Sequence, residues 1–490
     1  METNYILNPE YFLVNDRNRI LLTTEYDNGL LVSFIHPVYA LLLSYFKGEE
    51  PLSVISKKIS ADFDTPEQKI LEILQPLIEN EESLNLKYDN HVFSFPKAVL
   101  IKNEKQARRD DIEAENFMIS PPYDFKTIRL HKPRTLMFVI NTTCYTDCIY
   151  CYADRKTRYK PLETSRILDF IDEAKKLGIG VIDLSGGEVV LHKDYDIILK
   201  KLVESGYNPY ISTKVPVSRR QLEVLKEIGI TRLQYSVDSF LPGLQKKNLG
   251  VKESYAEALK NSIGYADTLG FELIIKSTLT QETLTVENLD VLFQYLLSLK
   301  NIQKYTFTPV GYSHFKSREL YKSIKPTLAQ VKEVKAFLEN KYAAVPFEIN
   351  WDMGAIHSPD EFRNSQEFKS RALCTGNVTG LIVLPDGKVT ICEELYWNEN
   401  FIIGDLTKNS IQEIWNSPKA KALFNLSRGE LPNNSFCNEC PDFEKCRHRL
   451  GVCWKEVIAC YGKENWGYPD PRCPLAPEMD KETKNMLIYV

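Results

Sequence analysis

The stretch LMFVINTTCYTDCIYCYADR, residues 136–155, decides the fold. It opens on a run of apolar, aromatic and β-branched residues that reads as a buried strand. The run passes directly into a loop with three cysteines, Cys144, Cys148 and Cys151. Thiolates favour zinc or iron–sulfur clusters, and a closed zinc site wants four ligands. Three thiolates leave one position for a distant side chain or a small molecule.

The same strand-to-loop grammar continues downstream. GVIDLSGG, PYISTKV, RLQYSVD, ELIIKSTLT and KYTFTPVG read as strands, each followed by an amphipathic helix such as SRILDFIDEAKKLG or RRQLEVLKEIG. Six strand–helix units in about 210 residues predict a parallel sheet with helices outside. Six are fewer than the eight of a closed barrel, so the expectation is an α/β fold with a partial (β/α)6 barrel. Function in such folds sits on the loops after the strands, and the cysteines lie on the first of them.

Upstream, residues 10–35 predict three short strands, YFLVND, ILLTTE and GLLVSF, with DRN and YDN as turns. Helices follow at 37–46, 51–59 and 66–80, the last with Asp64 or Thr65 as cap and Pro66 in its first turn. This predicts a winged-helix-like domain over residues 1–100. Residues 102–116 mix both charge signs without apolar periodicity, and 101–131 read as a linker. The barrel is expected over 132–345, a bridging segment over 346–370, and a cysteine-rich domain over 371–490.

Composition narrows the function. The 490 residues carry a net charge of −5, which argues against nucleic-acid binding as the main task. Residues 1–12 show no export signal, and the most apolar window, 30–46, is broken by His36 and Pro37 and is short for a bilayer span. Eleven cysteines without an export signal predict metal or redox chemistry in a reducing compartment, the cytoplasm, rather than disulfides. None lies between Cys151 and Cys374, so two separate metal regions are expected.

The CxxxCxxC loop, with Tyr150 before its last cysteine, resembles the radical S-adenosylmethionine superfamily. SGGE (Ser185, Gly186, Gly187, Glu188) ends the second strand where that family binds the methionine amino group. STK (Ser212, Thr213, Lys214), YSVD (Ser236, Asp238) and TPVG (Val310, Gly311) end later strands, placed like family residues that contact methionine carboxylate, ribose or adenine. The resemblance implies a [4Fe–4S] cluster on Cys144, Cys148 and Cys151, with methionine on the fourth iron. It implies a 5′-deoxyadenosyl radical that takes a hydrogen atom from substrate.

The remaining cysteines are Cys374, Cys392, Cys437, Cys440, Cys446, Cys453, Cys460 and Cys473, enough for two four-ligand groups. Gly387, five residues before Cys392, suggests a hairpin. CNEC alone would also suit a zinc knuckle. CNECPDFEKC resembles the SPASM extension of peptide-modifying radical enzymes, which implies two auxiliary [4Fe–4S] clusters. That pattern would assign Cys437, Cys440, Cys446 and Cys473 to the outer cluster, and Cys374, Cys392 and Cys453 or Cys460 to the inner one. It expects a cysteine where Leu450 stands, so the last inner ligand, and whether that cluster stays open to a substrate thiolate, is left undecided.

The amino-terminal strands and helices resemble the recognition element of enzymes that modify ribosomally made peptides. This implies a leader peptide added as a strand along Gly29–Phe34 and against helix Pro66–Asn80. The expected function is a peptide maturase, with a flavodoxin or ferredoxin as reductant, that installs an intramolecular cross-link. A cysteine sulfur-to-carbon thioether is the first expectation and a carbon–carbon link the second. The auxiliary clusters are expected to take the electron released. Alternatives are oxidation of a single residue, as in sulfatase maturation, and a leader-binding or electron-transfer partner that does not turn over. No general base is evident: Asp183 and Tyr235 are candidates by position only, and Glu393 and Glu394 are either cluster-adjacent or surface groups.

Overall fold

The structure is a computed structural model that describes residues 3–24, 32–105, 107–153, 159–352, 368, 369, 371, 373–479 and 483. Two compact units divide the chain, Met1–His131 and Lys132–Val490.

In the first unit, β1 (Asn4–Leu7), β2 (Tyr11–Asn15), β3 (Ile20–Thr24) and β4 (Val32–Ile35) precede α1 (Pro37–Leu43), β5 (Lys47–Pro51), α2 (Leu52–Asp62) and α3 (Glu67–Leu74). The hairpin β6 (Leu84–Tyr88) and β7 (His91–Phe95) and the strand β8 (Leu100–Lys102) complete it. Strands β2, β3 and β4 form an antiparallel sheet, and β1 pairs with β5 and β8. Alternation buries Ile20 and Leu22 with Ile35, Leu43, Ile59 and Leu74 in one core. His36 breaks strand from helix: its ring accepts the Val38 amide at 3.2 Å, and Pro37 fits the first turn.

Three expectations need correction here. Helix 66–80 stops at Leu74, because Pro76 lacks an N–H, and the chain tightens into a 3₁₀ turn at Gln75–Leu77. Its N-cap is Pro66, not Asp64 or Thr65. Residues 101–131 do not behave as a linker. Arg109 donates to the carbonyls of Asn8 and Tyr11 at 3.1 and 3.0 Å, and Ile112 and Phe117 join the core. Of the expected leader-pairing strand, Gly29–Leu31 lie outside the described residues.

The second unit is an α/β partial barrel. Strands β9 (Thr135–Asn141), β10 (Val181–Gly186), β11 (Ser212–Thr213), β12 (Arg232–Ser236), β13 (Glu272–Leu279) and β14 (Ile302–Pro309) match the six expected strands. Helices α4 (Thr164–Lys176), α5 (Tyr195–Glu204), α6 (Arg219–Ile228), α7 (Pro242–Leu249), α8 (Tyr255–Thr268), α9 (Val286–Leu296), α10 (Arg318–Ile324) and α11 (Leu328–Lys341) connect them. Sequence reading missed α7 and α10, which are only eight and seven residues long. All strand pairings within β9–β10 and β11 through β14 are parallel. A seventh parallel strand, β15 (Glu348–Trp351), comes from the expected bridging segment.

The cysteine-rich region builds onto the barrel's other side. Its strand β16 (Gly380–Val383) pairs parallel with β9, and β17 (Lys388–Thr390) and β18 (Ile402–Asp405) continue the sheet antiparallel. Gly380 permits the approach, since a Cβ there would overlap the Thr135 hydroxyl. Gly387, at φ +87°, makes the expected hairpin turn. No helix among the described residues is long and apolar enough to cross a membrane.

Candidate active site

The cysteine loop leaves β9 and is fastened at several points. The amides of Asp147 and Ile149 donate to the carbonyls of Leu249 and Asn248 at the end of α7, at 2.8 and 2.9 Å. The Thr146 hydroxyl lies 3.2 Å from the Cys148 sulfur and 3.6 Å from that of Cys144. Burial pushes the Cys148 thiol up to about 11, opposed by Lys214 and Thr146. A soft cation would take that proton's place.

The end of β10 lies against the start of this loop. The Gly187 amide donates to the Asn141 carbonyl at 2.8 Å, and the Glu188 amide to the Thr143 carbonyl at 2.7 Å. A Cβ on Gly187 would overlap the Thr143 carbonyl, and one on Gly186 the Asn141 carbonyl. In this structure the paired glycines thus serve the contact between β10 and the cysteine loop.

Glu188 is buried, and its carboxylate is held by neutral donors. The Thr213 hydroxyl donates to one oxygen at 2.7 Å and the Lys214 amide to the other at 2.9 Å. Burial raises its pKa, with these bonds opposing. A buried carboxylate so placed beside the thiols fits a ligand ammonium.

Asp238 ties three elements together. One oxygen accepts Lys214 Nζ at 2.9 Å and the Tyr150 hydroxyl, and the other accepts the Thr278 amide at 2.8 Å. The Lys214 ammonium also lies 5.6 Å from the Tyr150 ring centre. Asp238 therefore anchors the cysteine loop to β11 and β13. Lys214, Asp238, Tyr150 and Glu188 were selected from sequence separately; the structure makes them one network. Thr213, of the same STK motif, joins it, and the structure adds Tyr255, whose hydroxyl donates to the Lys214 carbonyl at 2.7 Å.

The other candidates fall into place or out of it. Ser236 accepts Gln234 Nε2 at 2.7 Å, on the face of β12 opposite Tyr235. Ser212 stands in register with Gln234. Val310 packs with Tyr150, Tyr312 and Tyr321 as an apolar wall. Ser185 and Asp183 share the half-buried face of β10. Tyr235 is a correction: it is fully buried, and its hydroxyl lies 2.9 Å from that of Ser262 on α8. That places it between strand and helix layers, a packing position. Glu393 and Glu394 are bonded rather than loose: the Tyr152 hydroxyl donates to Glu393 at 3.0 Å, and Lys455 Nζ to Glu394 at 2.6 Å.

The eight later cysteines sort into two groups. Cys437, Cys440, Cys446 and Cys473 line a cavity of about 220 Å³, room for a group larger than one ion. Leu450 lines the same cavity. In the second group, Cys374 lies within electrostatic reach of Cys392 and Cys453, and Cys453 of Cys460. Burial pushes Cys392 up to about 12 and Cys453 and Cys460 well above their usual value. Cys453 is the N-cap of helix Trp454–Tyr461, which carries Cys460 two turns on. A π-type turn at Cys446–Leu450 takes up the residues that displace Cys453 from the expected spacing. Among the described residues no three His, Cys, Asp or Glu side chains close round a single point, as one metal ion would need. A cubane spreads its ligands over several irons, and both thiol groups suit one.

A partial β/α barrel with three thiols on its first loop, a buried carboxylate beside them and two further thiol groups defines an iron–sulfur enzyme with an organic cofactor. Residues 138–280 match the model of the Radical SAM superfamily, and residues 374–441 that of the SPASM iron–sulfur cluster-binding domain. The chain is a radical S-adenosylmethionine enzyme with a SPASM domain, and its cofactors are S-adenosylmethionine, a [4Fe–4S] cluster and auxiliary iron–sulfur clusters. It is 21% identical over 354 residues to the PqqA peptide cyclase of Ruegeria pomeroyi, covering 72% of this chain and 90% of that one. Its fold is similar to that of Streptococcus suis SuiB bound to S-adenosylmethionine, with TM-score 0.63, 15% identity, and 96% and 100% of the two chains covered. SuiB bound to precursor peptide SuiA matches with TM-score 0.61 and 15% identity over the same shares.

Proposed function

We propose that this enzyme is a maturase that closes an intramolecular cross-link in a ribosomally made precursor peptide. The observation that carries this is the order of its parts: a separate amino-terminal α/β unit, a radical barrel and two thiol groups. The fold likeness to SuiB, whose solved complex holds a precursor peptide, runs through 96% of the chain and supports that order. The name of the PqqA peptide cyclases supports ring closure within a peptide.

Cys144, Cys148 and Cys151 would hold a [4Fe–4S] cluster, which would supply the electron for reductive cleavage of S-adenosylmethionine. The chain's own residues orient the participants. Glu188 receives the methionine ammonium, and Ser212 and Ser236 offer hydroxyls to its carboxylate and the ribose. Val310 forms an apolar wall for the adenine. Lys214 and Tyr150, clamped by Asp238, hold the cysteine loop still. Cys437, Cys440, Cys446 and Cys473 would hold one auxiliary cluster, and Cys374, Cys392, Cys453 and Cys460 the other. The first unit captures the leader along the β4 edge and α3.

Ring closure removes two hydrogens from the peptide. The first reading of the bond is a cysteine sulfur-to-carbon thioether, and the second a carbon–carbon link. The test is anaerobic turnover of a cysteine-containing precursor with S-adenosylmethionine and dithionite. Formation of 5′-deoxyadenosine with a peptide lighter by two hydrogens supports ring closure; an alkylation-resistant thiol then selects the thioether. A thiol that still alkylates selects the carbon–carbon link. Equal turnover by the 132–490 fragment would remove leader capture by the first unit. No 5′-deoxyadenosine would remove the maturase altogether.

A further inference from the structure

Guanidiniums reach the sulfurs of the outer auxiliary thiol group, whose cavity is also lined by Asp442 and by Asp470, the latter paired with Arg472. At the outer group, Arg447 is buried, and its Nη2 donates to the Cys437 sulfur at 3.2 Å and to the Gly467 and Tyr468 carbonyls at 2.9 and 2.8 Å. Its Nε and Nη1 are buried without a hydrogen-bond partner among the described residues. Two such donors, next to a cavity lined by thiols, fit an acceptor that belongs to the cavity's occupant. Arg371 approaches from another segment, and its Nη2 donates to the Cys446 sulfur at 3.1 Å. Carbonyls of Phe368 and Gly451 hold it there, at 2.7 and 2.6 Å.

Carboxylates predominate at the inner group, with Arg318 opposing them at Cys460. Glu394 acts on Cys392, and Glu456 on both Cys453 and Cys460. Two cations compensate: Lys455, which Glu394 holds at 2.6 Å with Glu456 4.0 Å away, and Arg318, whose Nη2 donates to the Ala459 carbonyl at 3.1 Å and which acts on Cys460.

Reduction adds negative charge to a cluster. Hydrogen bonds to its sulfurs and nearby positive charge stabilise the reduced form and raise its potential, while nearby carboxylates lower it. We propose that Arg371 and Arg447 set the reduction potential of the cluster on Cys437, Cys440, Cys446 and Cys473, and hold it above that of the inner cluster. A single electron shared between the two auxiliary clusters then resides on the outer one. The arginines are positioning residues that touch no substrate. The inference rests on the ligand assignment proposed above.

The experiment is a potentiometric titration, read by EPR, of the anaerobically reconstituted full chain. Cys144, Cys148 and Cys151 are replaced by Ala, so that only auxiliary clusters give signal. The outer midpoint is expected to lie above the inner one. Arg371→Gln and Arg447→Gln should each lower the outer midpoint by about 59 mV or more, a tenfold loss in the one-electron reduction equilibrium. The inner midpoint should stay in place. Unchanged midpoints with full iron content, or an outer midpoint below the inner one, would overturn the inference. Should Arg447→Gln fail to fold, the half-buried Arg371 decides alone. Iron content that survives Cys440→Ala and Cys446→Ala would instead overturn the ligand assignment, a separate outcome.

Discussion

Gly187 shows how narrow the tolerances of the site are. A methyl group there meets the Thr143 carbonyl, part of the backbone that carries Cys144, so neither partner can yield cheaply. Gly187→Ala should leave far-UV circular dichroism near wild type and lose about four of about twelve irons after reconstitution. Iron analysis with dichroism on one sample checks this. Glu188 tests the opposite logic. Its burial raises its pKa, so ionising it costs stability: the contribution is present below the ordinary value of 4.5 and lost as pH rises through the higher folded value. Glu188→Gln should therefore leave the cofactor-free protein at least as stable at neutral pH, while S-adenosylmethionine binds about 10- to 100-fold more weakly, the worth of a hydrogen bond to a charged group. Thermal melting and equilibrium dialysis read the two arms. These residues were legible because their types are restrictive. Tyr235 was not: strand alternation tells that neighbours face apart, but not which face is the barrel interior.

Among the elements, the short helix Trp454–Tyr461 and the loop after it depend on one acid. Asp470 is buried, accepts the Cys453 amide at 3.2 Å and pairs with Arg472 at 2.9 Å. Burial disfavours its charge, yet Arg472 prevails and holds the carboxyl below the usual range. The stabilisation is present above the unfolded value of 3.8 and is lost as pH falls through the folded one. Asp470→Asn should cost about 1–3 kcal/mol at neutral pH, and the difference from wild type should vanish below that range. Hydrogen exchange over residues 453–470 measures it. Elements with strong periodicity, such as α4 and α6, were readable from sequence. The strand β11, only Ser212–Thr213, and β16 were not identified in their true extent or pairing, because parallel partners distant in sequence leave no local signal.

For the whole molecule, the boundary at His131 has a measurable consequence. A fragment of residues 1–131 should fold cooperatively, whereas residues 1–100 should not. The shorter piece loses Ile112 and Phe117, about 1.5–3 kcal/mol each, and leaves the carbonyls that Arg109 holds without their partner. Such losses approach the whole stability of a small domain. Urea titration of both fragments distinguishes them. The linker expectation failed because mixed charge describes a surface, and a segment can show a charged surface while two apolar residues reach the core.

By itself the sequence determined the kind of chemistry: three thiols at close spacing on the first loop of an alternating α/β chain, and eight more reserved for a second region. Those features are local, written in residue type and period. The tertiary structure alone decided how the pieces meet. It joined Lys214, Asp238 and Tyr150, turned Tyr235 away from the barrel interior, brought both Cys453 and Cys460 to the group of Cys374 and Cys392, and set Arg371 and Arg447 against the sulfurs of the other group. Such relations depend on contacts between residues far apart along the chain, and only packing brings those residues together.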